Sequence, residues 1–200
     1  MLNVAVLVSG GGTNLQALLD GEARGENPNG KITLVVASKP GVYALERAAK
    51  AGVEGCVVRR KDYASSEDFD AALLKTLKDH NIDLVVLAGF LSVLGPSVIA
   101  AYPRRILNVH PALIPSFCGK GYYGLHVHEA ALARGVKVSG ATVHFVNEIP
   151  DGGQIIRQKA VPVLPGDTPE SLQKRVMEEA EWIILPEATE EIAARLLAEA

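Results

Sequence analysis

The feature that most narrows the fold of this 200-residue chain is a set of short runs that are apolar on both alternating faces. Residues 3–8, 32–37, 83–88 and 105–109 are each predominantly aliphatic, with no polar alternation. A strand with one face in water alternates; a strand without alternation is covered on both sides, as in parallel sheets. Helical patterns separate the runs. Leu15, Leu18 and Leu19 recur at helical spacing, with Thr13 or Asn14 placed as the cap. Residues 42–51 read as a helix stopped by Gly52. Residues 55–58 make a short further strand, and Ser65/Ser66 precede a helix carrying Phe69, Leu73, Leu74 and Leu77. Residues 92–101 make a short helix around Pro96. The expectation is an α/β fold, doubly wound around a mostly parallel central sheet.

The pattern changes after His110. Residues 111–124 form a long loop with three glycines and two tyrosines, and loops of that length are often functional. A helix over 126–134 is closed by Gly135. Residues 139–146 alternate, Asp151-Gly152-Gly153 turns, and 155–163 returns, which predicts an antiparallel hairpin at the sheet edge. Residues 168–197 are mostly helical, with Pro169 at a first helical position and Pro186 as an interruption. No repeat or linker divides the sequence, so one domain over 1–200 is expected.

Composition excludes several classes of function. The net charge is −3 and there is no long basic tract, which argues against nucleic acid. No apolar run approaches the ~20 residues of a membrane span, and residues 2–8 lack a basic leader. Cys56 and Cys118 are the only cysteines and form no disulfide framework or metal spacing. A cytoplasmic protein acting on small molecules is the expectation.

The polar candidates are few. Ser9-Gly10-Gly11-Gly12-Thr13-Asn14 joins a strand to a helix, where exposed N–H groups suit a phosphate. It lacks the Gly-Lys-Ser/Thr of a Walker loop, and Leu15 stands where a dinucleotide fingerprint needs its third glycine. A phosphate site is favoured over an empty turn. Asn108 and His110 lie on one face of a strand, at its carboxyl end, where open α/β sheets bind ligands. Spacing alone favours a solvated histidine beside a capping asparagine. Asp151, likewise, is first a turn residue, but it reaches the same crevice if its hairpin lies beside the Asn108 strand. No serine or cysteine nucleophile accompanies them, and Cys118 reads as a bystander. Direct transfer between two bound substrates then suits the trio better than a covalent enzyme intermediate. For His126 and His128, helix capping or substrate contact is favoured over a metal pair; His144 reads as a polar-face strand residue. Residues 90–94 read as core, or as a platform for a flat aromatic ligand.

Taken together, Ser9–Gln16, Leu87-Ala88-Gly89-Phe90, Leu107-Asn108-Val109-His110-Pro111, residues 140–146 and Asp151-Gly152-Gly153 resemble the phosphoribosylglycinamide formyltransferases, folate-dependent enzymes of purine synthesis. The resemblance implies a Rossmann-like formyltransferase fold with a long C-terminal helix. The implied reaction moves a formyl group from 10-formyltetrahydrofolate, the co-substrate, to the amine of glycinamide ribonucleotide, without a metal. It implies catalytic roles for His110 as general acid, Asn108 as oxyanion stabiliser and Asp151 in raising the His110 pKa. The ribonucleotide would meet Gly12, Thr13, Asn14, Leu15 and Glu181. The folate would meet Ser66, Leu91, Ser92, Val93, Leu94, Asn108, Asn147, Glu148, Ile149, Pro150 and Asp151. Residues 1–104 would form the phosphate-binding half and 105–200 the catalytic and folate-binding half. Partners would be small molecules alone, and a homodimer stays open.

Three departures from the family pattern stand out. Ser66 replaces a basic residue near the folate tail, with Lys120 a candidate to supply that charge. The loop over 119–124 is longer than in some relatives, and Trp182 stands where a histidine is common. Formyltetrahydrofolate deformylase, a hydrolase, is the alternative activity, although it usually carries an additional N-terminal regulatory domain. Methionyl-tRNA formyltransferase would add a C-terminal domain and a basic face. A non-catalytic nucleotide-binding module, using only the glycine loop, is the alternative of a different class.

Overall fold

In the computed structural model, which describes residues 1–199, the aliphatic runs become the strands of one seven-stranded sheet. These are β1 (Leu2–Val8), β2 (Gly30–Ala37), β3 (Glu54–Val57), β4 (Leu84–Leu87), β5 (Ile106–His110), β6 (Val138–Phe145) and β7 (Ile155–Pro162). Their order is β3-β2-β1-β4-β5-β6-β7. The pairs from β3 through β5 are parallel, and β6 and β7 are antiparallel additions at one edge. The doubly wound sheet and its edge hairpin thus appear as expected. The chain winds outward from β1 to β2 on one side and to β4 on the other. That reversal opens a crevice above the carboxyl ends of the central strands.

Strand alternation divides the core between two faces. Val4, Val6 and Val8 face α1 (Thr13–Ala23), α2 (Tyr43–Lys50), α5 (Leu125–Arg134), α6 (Pro169–Val176) and α7 (Trp182–Ala198). Ala5 and Leu7 face the other layer, where Phe69, Leu73 and Leu77 of α3 (Ser66–Asp79) meet Val98 of α4 (Pro96–Ala101). Both faces are therefore dry, which is why these strands carry no polar alternation.

Helix ends depart from expectation in three places. The cap of α1 is Gly12, in the left-handed region at φ 72°, and neither Thr13 nor Asn14 caps it. A Cβ at Gly12 would lie 2.7 Å from the Ala44 Cβ, so the loop needs glycine there for space as well as conformation. The helix α4 starts only at Pro96. The buried Asp70 of α3 holds residues 95–98 instead, accepting from the N–H groups of Gly95 (2.8 Å), Ser97 (2.8 Å) and Val98 (3.3 Å). The long C-terminal helix is broken by a π turn, Met177–Glu181, while Pro186 lies inside α7 without ending it.

Candidate active site

The crevice is assembled by the loops that leave β1, β4 and β5. Ser9, just past β1, is buried and accepts from the Leu91 N–H at 2.9 Å and from the Ser38 hydroxyl at 2.7 Å. One hydroxyl therefore ties the exits of β1, β2 and β4 together.

At the end of β5 the register of the antiparallel pair decides which side chains meet. Asn108 is opposite His144, and His110 is opposite Thr142. Asn108 Nδ2 lies 3.2 Å from His144 Nε2, and His144 Nδ1 lies 2.8 Å from the Phe145 carbonyl oxygen. The carbonyl needs an N–H, so His144 donates through Nδ1 and accepts the Asn108 amide through Nε2. This fixes the Asn108 amide and leaves its second N–H for the crevice. Asp151 bridges both histidines, with Oδ2 3.6 Å from His110 Nδ1 and Oδ1 3.5 Å from His144 Nε2. The trio expected from sequence is thus brought together, with His144 as a fourth member that sequence reasoning left on a polar strand face. Strand pairing was the signal: a histidine directly across an antiparallel pair from Asn108 must touch it.

The turn holding Asp151 is under conformational constraint. Asp151 itself is left-handed at φ 54°, a region Asp tolerates better than most residues. A Cβ on Gly153 would overlap the Phe145 carbonyl oxygen, so the Asp-Gly-Gly sequence is what lets the turn fold back onto β6. The 111–124 loop covers the pair: His110 Nε2 donates to the Phe117 carbonyl at 2.7 Å, and the Gly119 N–H donates to Asp151 at 2.8 Å.

Burial outweighs the carboxylate at His110. Desolvation pushes its pKa below the ordinary histidine value, while Asp151 and the Phe117 carbonyl pull it back up in part. Asp151 acts on His110 in the expected direction, but a ring only 4% exposed loses more hydration than one carboxylate at 3.6 Å restores, so the net pKa lies below the ordinary value. Asp151 stays below the usual carboxylate range: burial raises it, but the adjoining His144 ring, the Gly119 N–H that donates to it and the nearby His110 prevail. His128, in α5, is fully buried with neither ring nitrogen bonded, and its pKa falls to about 4 by desolvation and the neighbouring His110. It neither caps a helix nor reaches the crevice, contrary to expectation. His126 pairs with Glu129 at 3.0 Å. Among the described residues no group of three or more His, Cys, Asp or Glu could hold a metal.

The glycine loop presents an uncapped helix start. Gln16 is the first residue to donate back into the helix, to Gly12 O at 2.9 Å, and no side chain caps α1. The N–H groups of Thr13, Asn14 and Leu15 are the ones such a start leaves open. The side chain of Leu15 is wholly in the core, so only its backbone can face a ligand. Asn14 is buried and donates to Glu181 Oε2 at 2.7 Å, leaving its own Oδ1 without a partner. Burial pushes the Glu181 pKa up, and the Asn14 amide offsets part of that. Arg47 braces the loop by donating to Gly11 O at 2.8 Å. Trp182 lines a cavity of about 280 Å³ beside Thr13, Gln16 and Arg47.

A second cavity, about 200 Å³, runs from Asn108, His144 and Asp151 to the segments 91–94 and 147–150. The 90–94 stretch is only partly core: Leu94 is buried and Phe90 packs against the core, while Leu91 is 67% and Val93 84% exposed. With Asp70 holding Gly95, the segment stays extended and turns these side chains out as an apolar rim facing Ile149. Ser66 is absent from this lining. It borders an adjoining cavity of about 550 Å³ together with Arg60 and residues 91–96. Lys120 lines neither.

The comparisons with known proteins agree with this fold. The formyl transferase family model matches residues 2–189. The chain is 45% identical over 180 residues to the trifunctional purine biosynthetic protein adenosine-3 of Drosophila melanogaster, covering 90% of this chain but only 13% of that protein. It is 39% identical to the phosphoribosylglycinamide formyltransferase of Haemophilus influenzae, covering 93% of this chain and 84% of that one. The crystal structure of glycinamide ribonucleotide transformylase 1 from Symbiobacterium toebii is 45% identical with a TM-score of 0.91, covering 98% of this chain and 89% of that chain.

Proposed function

The chain belongs to the formyl transferase family, and from that premise we propose that it transfers the formyl group of 10-formyltetrahydrofolate to the amine of phosphoribosylglycinamide. The observation that carries this reading is the polar cluster of Asn108, His110, His144 and Asp151 at one end of an apolar crevice, with an uncapped helix start nearby. The crevice suits a flat pterin, and the helix start suits the acceptor's phosphate. In the same reading Glu181, which accepts from Asn14, meets the acceptor's polar groups.

The amine attacks the formyl carbon, and a tetrahedral carbon with a negative oxygen forms. The free Asn108 N–H donates to that oxygen, held in aim by His144. His110 acts as general acid; it reaches the substrate once the Phe117 carbonyl releases its Nε2. Because burial keeps resting His110 below the ordinary pKa, Asp151 is what holds a proton within its reach. The developing oxyanion adds to that pull. Collapse breaks the bond from the carbon to N10, and the proton lost by the attacking amine replaces the one gained by the leaving nitrogen.

The test is the loss of 10-formyltetrahydrofolate with and without phosphoribosylglycinamide. Consumption that requires the acceptor and yields its formyl derivative is expected. Acceptor-independent consumption would mark a hydrolase, and no consumption a binding module.

A further inference from the structure

His110, Thr142 and Gln158 stand abreast across three strands: His110 is opposite Thr142 on β6, and Thr142 is opposite Gln158 on β7. The first belongs to the catalytic cluster, and the last is an exposed side chain at the sheet edge. Thr142, between them, is fully buried. Its hydroxyl is used to capacity. It donates to the Ala112 carbonyl at 2.7 Å and accepts from the Ile114 N–H and the Gln158 amide, each at 3.1 Å. The Gln158 amide also donates to the Ile114 carbonyl at 2.9 Å. Side chains of the edge hairpin therefore hold both backbone groups of Ile114.

That grip is passed along the loop. The Ser116 N–H donates to the Leu113 carbonyl at 3.0 Å, and the Cys118 thiol donates to the Pro115 carbonyl at 3.3 Å. Residues 113–118 are thus tied to one another. They carry the Phe117 carbonyl to His110 Nε2 and bring the Gly119 N–H to Asp151. The position of Ile114 therefore governs both contacts. Thr142 is fixed within β6, whereas Gln158 reaches Ile114 from the surface. Truncating Gln158 releases the loop root without opening a cavity beneath it.

From this we infer that Gln158 is a positioning residue, which clasps the root of the 111–124 loop and so keeps the loop seated over His110 and Asp151. Its consequence for the reaction rests on the function proposed above. His110 must leave the Phe117 carbonyl to reach the substrate, and a clasped root limits how far the loop opens when it does. A loose root admits water. Water adding to the formyl carbon in place of the amine yields formate and tetrahydrofolate. The bond from the carbon to N10 breaks, one water proton goes to N10, and the other is released as formic acid ionises. The clasp thus favours the amine over water as the group that takes the formyl carbon.

Two variants of the full chain test the clasp. Gln158→Leu removes the amide, and Gln158→Glu keeps its size but has no N–H to donate at neutral pH. In both, hydrogen exchange at the Gly119 amide should quicken roughly three- to tenfold, the population change that loss of one or two hydrogen bonds produces, with exchange along the β6–β7 ladder unchanged. During formyl transfer, the ratio of formate released to phosphoribosylglycinamide formylated should rise by a similar factor, with KM for phosphoribosylglycinamide unchanged. Unaltered Gly119 exchange in both variants would overturn the inference, and so would faster exchange with the parent's product ratio. A parent chain that transfers no formyl group would strike the proposed function instead, and the clasp would then stand or fall on the exchange result.

Discussion

Asp151 earns its place through what it does to a neighbour rather than through its own position in a turn. Its charge opposes the desolvation that drives His110 toward neutrality. Asp151→Asn keeps the size and removes the charge, so the His110 pKa should move further down in an NMR titration. Turnover should fall roughly 10²–10⁴-fold, the scale of lost acid–base catalysis, with substrate affinity nearly intact. Near-normal turnover with an unmoved His110 would return Asp151 to turn chemistry. At this scale the sequence was partly legible. Asn108 and His110 share a strand face by simple alternation, while Asp151 read first as a turn residue and took a role only from the family resemblance. The role of His144 depended on register across β5 and β6, which no local pattern encodes. The balance of pKa effects at His110 depended on how the 111–124 loop covers it, which is a tertiary fact.

Among the elements, the strands and the edge hairpin were readable because burial on two faces, or on one, writes itself into the residue pattern. Some helix ends were readable too, with Ser65 capping α3, Gly135 closing α5 and Pro169 opening α6; the starts of α1 and α4 were not, because they depend on distant segments: Asp70 for α4, and the packing of Gly12 against Ala44 for α1. The start of α1 makes its own prediction. Gly12→Val would add a branched side chain at φ 72° and a Cβ 2.7 Å from the Ala44 Cβ. Stability should drop by about 1–3 kcal/mol from strain and overpacking. In the protein that remains folded, KM for phosphoribosylglycinamide should rise much more than KM for the folate. An unchanged acceptor KM would move the phosphate away from this loop.

For the whole molecule, the buried neutral histidines set how it tolerates acid. The pKa of His128 is about 4 in the folded chain against an ordinary 6.5, and burial lowers His110 in the same direction. A depressed histidine pKa means that the unfolded chain binds protons first as pH falls. The stability it supports is complete above about 6.5 and is lost as pH drops toward 4. For His128 alone the gap is worth roughly 3 kcal/mol. Urea unfolding at pH 7.5 and 4.5 should show that loss, and His128→Leu or His128→Gln should flatten the difference. A parent protein equally stable at both values would contradict it.

The bond between Asn14 and Glu181 joins positions 167 residues apart. On the ribosome, the glycine loop is made early and waits through most of translation before the carboxylate that Asn14 bonds is made. Under the proposed function, acceptor binding should therefore require the π turn to be in place beside the glycine loop. Two fragments cut within the 111–124 loop would each carry one partner of that bond, so recovery of acceptor binding on mixing would report their correct reassembly.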